Sequence, residues 1–141
     1  MYVEDKIYRS LAHRKDDVFL RNEFARMGSD AQISRALRHL VERGIVVKLG
    51  IGVYAKAKKS VLSGAPIPVK PVGILGGAAL KKLGVQIYPS RIAQAYNKGE
   101  STQLPAGNVV NVGQRRINRK LGFGTQVIIY ETNNRSAVRN Y

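Results

Sequence analysis

The sequence predicts an α+β protein of two small domains. Three observations lead there: a helix-period apolar stripe over residues 30–43, two β-rich runs with a glycine-bearing tip directly after it, and a proline-bearing stretch that divides this half from a second series of short helix-like and strand-like segments. With 141 residues, the chain holds one ordinary domain or two small ones. The apolar fraction of 44%, with seven Tyr and three Phe, is enough to build packed cores.

In the first half, Val3, Ile7, Tyr8 and Leu11 make one stripe on a first helix, Val3 to His13. Asp16 and Asp17 interrupt it, and Val18-Phe19-Leu20 is a short apolar run. Asn22 then caps a short second helix through Phe24, Ala25 and Met27. Gly28 supplies a turn, and Ser29 or Asp30 offers an N-cap oxygen. The third helix, Asp30 to Arg43, has Ile33, Ala36, Leu37, Leu40 and Val41 on its apolar face and Gly44 as its stop. Ile45 to Leu49 and Val53 to Lys56 form a β-hairpin around Gly50-Ile51-Gly52. Helices followed by such a hairpin define a winged helix-turn-helix, whose third helix enters the major groove of DNA.

The stretch Ser60 to Pro71 holds three prolines and one glycine, which argues for a linker without a regular element. Beyond it, Ile74 to Leu83 is helix-like with Gly84 as its stop, Val85 to Tyr88 alternates as a strand, and Arg91 to Asn97 is a further helix after Pro89 and Ser90. Val109 to Val112, Arg115 to Leu121 and Thr125 to Glu131 read as three strands with short turns, hence a small α/β domain with an antiparallel meander. The expected organisation is a winged helix over 1–58, a linker over 59–71, an α+β domain over 72–132 and a mobile tail over 133–141.

Charge points to the partner. A net charge of +15, divided as +6 before and +9 after residue 60, is the balance of a polyanion binder. No apolar run approaches the roughly 20 residues of a spanning helix and no Lys/Arg-rich amphipathic helix dominates, so nucleic acid, with double-stranded DNA first, leads over a membrane surface. The outer face of the third helix carries Gln32, Ser34, Arg35, Arg38 and His39, with Ser29 at its start, all able to reach bases or phosphates. Lys48 beside the hairpin tip, Lys58 and Lys59 before the linker, and the cluster Arg115, Arg116, Arg119 and Lys120 are further candidate phosphate contacts. If residues 115–121 are a strand, Arg115, Ile117, Arg119 and Leu121 share one face and Arg116, Asn118 and Lys120 the other.

Catalysis finds little footing. The absence of Cys removes thiolate metal sites, disulfides and cysteine nucleophiles, and suits a cytoplasmic protein. Residues 1–10 lack the apolar core of a signal peptide. His13 and His39, the only histidines, have no carboxylate at ligand spacing. Ser101-Thr102-Gln103 has no nearby histidine to make a nucleophile, and Gly73, Gly76 and Gly77 precede no phosphate-binding lysine motif. A non-enzyme without cofactor or metal is expected. An RNA-binding accessory protein is the alternative class, and a module that neutralises a toxin by protein contact is a third.

Two windows resemble a family. "ISRALRHLVERGIVVKLGIGVY", residues 33–54, is similar to the winged-helix domain of AbiEi-like type IV antitoxins through Ala36, Leu37, Leu40, Val41, Gly44, Val47, Leu49, Gly52, Val53 and Tyr54. "LGVQIYPSRIAQAYNKGESTQLPAGNVVNV", residues 83–112, is similar to their C-terminal part through Pro89, Ser90, Gly99, Ser101, Thr102, Gln103, Pro105 and Ala106, and departs from it at Arg91, Ile92 and Tyr96. The resemblance spans roughly residues 1–131. It implies a bacterial regulator, often on mobile DNA, that represses its own operon and is encoded beside a nucleotidyltransferase-type toxin.

Overall fold

Apolar residues three and four apart make α1, Val3–His13, whose first turn carries Glu4 and Asp5 where the helix dipole favours negative charge. The computed structural model describes residues 2–89, 109–132 and 138–139. They form an α+β protein whose chain divides into two compact units, Met1–Val69 and Lys70–Tyr141.

In the first unit α1 is followed by β1, Val18–Leu20, a 3₁₀ turn, Arg21–Phe24, α2, Asp30–Glu42, then β2, Val46–Gly50, β3, Val53–Lys59, and β4, Pro66–Pro68. The second helix expected from Asn22 is only this turn: Ala25 N–H donates to Asn22 and Met27 N–H to Phe24, both three residues back. Glu23 accepts from Leu20 N–H at 2.6 Å, which fixes the turn at its start. Gly44, at φ +75°, closes α2, with its own N–H donating to Val41 and that of Ile45 to Leu40. β3 is the central strand, antiparallel to β1, β2 and β4. Ile7 and Leu11 of α1, Phe19, Phe24, Ile33, Leu37 and Leu40 of α2, and Val46 make one buried cluster.

The Pro-rich segment is not wholly irregular. Pro66 and Pro68 lie two residues apart on edge strand β4, so both point their missing N–H groups the same way. The intervening register carries the ladder, and Val69 N–H donates to Lys56 at 3.1 Å. Pro66 also covers Gly44, where an added Cβ would lie 3.0 Å from its ring.

The second unit contains α3, Val72–Lys82, β5, Val109–Asn111, β6, Gly122–Phe123, β7, Gln126–Val127, β8, Ile129–Glu131, and β9, Val138–Arg139. It is not an antiparallel meander. β5 pairs with β8 in parallel, which needs a crossover, and residues 112–128 supply it with the β6–β7 hairpin inside. Residues 115–121 form no strand, and the run from Thr125 to Glu131 is split at Ile128, whose N–H donates instead to Leu121. Val85 to Tyr88 gives a single bridge, Tyr88 to Asn111. The tail expected to be mobile contributes β9, antiparallel to β8. The helix expected over Arg91 to Asn97 and the Ser101-Thr102-Gln103 stretch lie outside the described residues. α3 packs on β5 and β6, and its Gly76 meets Ile128 so closely that a Cβ would lie 2.5 Å from the isoleucine Cδ1.

Candidate nucleic-acid interface

The exposed face of α2 is organised from its N-terminus. Ser29 and Gln32 form a reciprocal capping box: the Ser29 hydroxyl accepts from Gln32 N–H at 3.2 Å, and the Gln32 carbonyl oxygen accepts from Ser29 N–H at 2.9 Å. Ser34 accepts from the Arg21 guanidinium at 2.8 Å, and the same nitrogen donates to the Asp30 carbonyl at 2.9 Å. Arg21 N–H in turn donates to Gly52 in the β2–β3 turn at 2.9 Å. Arg21 therefore ties the 3₁₀ turn, the start of α2 and the hairpin tip together.

At the other end of the helix, His39 Nδ1 pairs with Glu4 Oε1 and Arg43 Nη1 lies 2.5 Å from Glu4 Oε2, with the Arg43 guanidinium 5.6 Å from the Tyr8 ring centre. The hydrogen bond from His39, with that from Arg43, holds the Glu4 carboxyl below its usual pKa against the opposing effect of burial. An open groove between Tyr2, just before α1, and Glu4 of α1 on one side and Gln32, Arg35, Arg38 and His39 of α2 on the other runs beside this pair.

Of the six candidates on or before α2, four thus have intramolecular partners: Ser29, Gln32, Ser34 and His39. Arg35 and Arg38 are exposed, and among the described residues their side chains have neither a hydrogen bond nor an ion pair. Lys48 is exposed on β2, and Lys58 and Lys59 are exposed at the end of β3. Arg21, Glu4 and Arg43 were not singled out from the sequence. Their contacts join residues 9 to 39 positions apart, which no local periodicity encodes.

Within residues 115–121 of the second unit Arg115, Arg116, Asn118, Arg119 and Lys120 are all exposed, and only Ile117 and Leu121 are buried. The two-faced strand expected there is replaced by an irregular segment with two apolar anchors. Arg115 donates to the Gly84 carbonyl at 3.2 Å. The Tyr130 hydroxyl donates to the Arg119 carbonyl at 2.6 Å, and burial raises the Tyr130 pKa to about 12, partly offset by the Arg119 charge.

Among the described residues no group of three or more His, Asp or Glu could hold a metal ion, and no helix is long and apolar enough to cross a membrane. Fold and site together define an α+β protein of two units, the first of which presents an unneutralised pair of arginines on a capped helix. The chain belongs to a family of unknown function, DUF6088, whose model matches residues 3–138. No curated protein and no solved structure matches it.

Proposed function

We propose that this protein is a double-stranded DNA-binding regulator whose first unit works as a winged helix-turn-helix, with α2 as the reading helix and the β2–β3 hairpin as the wing. The observation that carries the reading is the contrast along α2: the polar groups around its start and end are engaged within the protein, while Arg35 and Arg38, one turn apart, are not. Each guanidinium offers a planar fork of donors suited to the O6 and N7 acceptors of guanine or to a phosphate. Lys48, beside the wing, adds a contact to the sugar-phosphate backbone.

The resemblance to AbiEi-like antitoxin regulators supports a narrower form of the proposal, in which the DNA is the operator of the protein's own operon and a nucleotidyltransferase-type toxin is the protein partner. In this reading the protein is a cytoplasmic repressor without catalytic activity.

The test is selection of duplexes from a random library by the full chain, followed by mobility-shift titration of the wild type and of Arg35→Ala/Arg38→Ala. Selective enrichment of one sequence, lost in the double variant while its melting temperature holds, supports the reading. Tighter binding to structured RNA than to any selected duplex at the same salt overturns it.

A further inference from the structure

The turn between β3 and β4 carries two adjacent aliphatic side chains at the surface of the first unit. Val61 and Leu62 are adjacent and 102% and 100% exposed. The turn that carries them is closely hydrogen-bonded: Ser60 N–H donates to the Ala65 carbonyl and Gly64 N–H to the Ser60 carbonyl, each at 2.9 Å. The Ser60 hydroxyl accepts from Leu62 N–H at 3.2 Å and from Ser63 N–H at 3.3 Å, and the Ser63 hydroxyl accepts from Ala65 N–H at 3.2 Å. With five of its backbone N–H groups bonded within the turn, it holds two aliphatic side chains out into water.

Its surroundings are cationic. Lys58 and Lys59 end β3 just before the tip, both exposed, and among the described residues their side chains have no hydrogen-bond or ion-pair partner. No acidic residue occurs in the sequence between Glu42 and Glu100, so the hairpins β2–β3 and β3–β4 carry no carboxylate. An apolar tip on an acid-free, lysine-flanked hairpin matches a polyanion with an apolar interior reachable from its edge, and stacked base pairs inside a phosphate backbone have that chemistry.

We propose that Val61 and Leu62 form a wedge that enters a base step of duplex DNA from the minor groove, with Lys58 and Lys59 on the adjoining phosphates. The inference rests on the DNA-binding reading given above and adds to it a second contact that bends the duplex. At a rise of about 3.3 Å per residue, β3 separates this turn from the wing by roughly 20 Å, so the wedge acts on base pairs other than those beneath the wing. An anionic membrane would meet the same side chains, and the vesicle arm of the experiment below separates it from DNA.

The experiment uses the full chain and a mixed-sequence duplex with a donor dye at one end and an acceptor at the other, titrated by mobility shift and read by energy transfer. The wild type is expected to kink the duplex by roughly 20–90°. Val61→Ser/Leu62→Ser is expected to bind about tenfold more weakly and to leave the duplex straight, with its melting temperature unchanged because both positions are fully exposed. Binding and bending equal to wild type overturn the wedge and leave the DNA reading standing. No duplex binding by the wild type overturns both. Co-sedimentation with phosphatidylserine vesicles that this variant loses, with duplex binding unchanged, overturns the wedge in favour of lipid.

Discussion

Arg35 and Arg38 stand on a capped helix, whereas Arg115, Arg116, Arg119 and Lys120 stand on a segment without strand or helix hydrogen bonding. Both runs interleave basic residues with apolar ones. On α2 the helical repeat sends Ile33, Ala36, Leu37 and Leu40 into the core and the arginines outward. In residues 115–121 only Ile117 and Leu121 are buried, and the direction of each basic side chain depends on those two anchors and on contacts such as that of Arg115 with Gly84. A regular element fixes the spacing of its exposed charges, and an anchored irregular segment fixes only their side of the molecule. Base readout needs the former, and phosphate contact tolerates the latter.

The largest expected difference lies beneath the two clusters. Leu40 is fully buried among residues from both helices, so Leu40→Ala should lose about 2–5 kcal/mol of stability in denaturant unfolding. Ile117, at 8% exposure, has more freedom to collapse around the loss, and Ile117→Ala should cost less. Equal losses would break the comparison, because they would make the irregular segment as firmly anchored as the helix.

Next come the charges themselves. Arg35→Ala and Arg38→Ala should each weaken specific duplex binding by about 1–3 kcal/mol and relax sequence preference. Arg116→Ala/Lys120→Ala should weaken selected and random duplexes alike and reduce the slope of log affinity against log salt by about 0.9 per lost phosphate contact. A loss confined to the selected duplex would turn the second cluster into a base reader. Ser29→Ala removes the hydroxyl that accepts from Gln32 and should cost about 1 kcal/mol of stability in thermal unfolding, with a smaller indirect effect on binding.

These contrasts also show which parts of the molecule could be read from sequence. α1, α2 and the β2–β3 hairpin announce themselves because apolar periodicity, a capping serine and Gly44 all act within a few residues. β4 was hidden because two prolines look like strand breakers until β3 lies beside them, on the side away from their missing donors. The parallel pairing of β5 with β8 is set by a crossover and leaves no local signature. On α2 the sequence marks the exposed face, but it does not say that Arg21 takes up Ser34 or that Glu4 takes up His39 and Arg43. Those pairings follow from the packing of α1 and the 3₁₀ turn against α2.

The smallest expected effect tests whether His39 and Arg43 serve the helix or the ligand. Hydrogen bonds from these two side chains hold the Glu4 carboxyl below its unfolded-state pKa, so their contribution to stability is present above that unfolded value. It is lost as the pH falls through the lower, folded value. The pairs lie at the surface, with the His39 side chain 58% exposed, and solvent screening keeps the contribution small. Glu4→Gln should therefore flatten the acid limb of the stability profile slightly and change the melting temperature little near neutral pH. The same substitution removes a negative charge from the groove beside Arg35 and Arg38 and releases two basic side chains from their partner. DNA affinity should then rise, most at low salt where screening is weakest. A fall in affinity with stability unchanged would show instead that Glu4, through His39 and Arg43, orients α2 for binding.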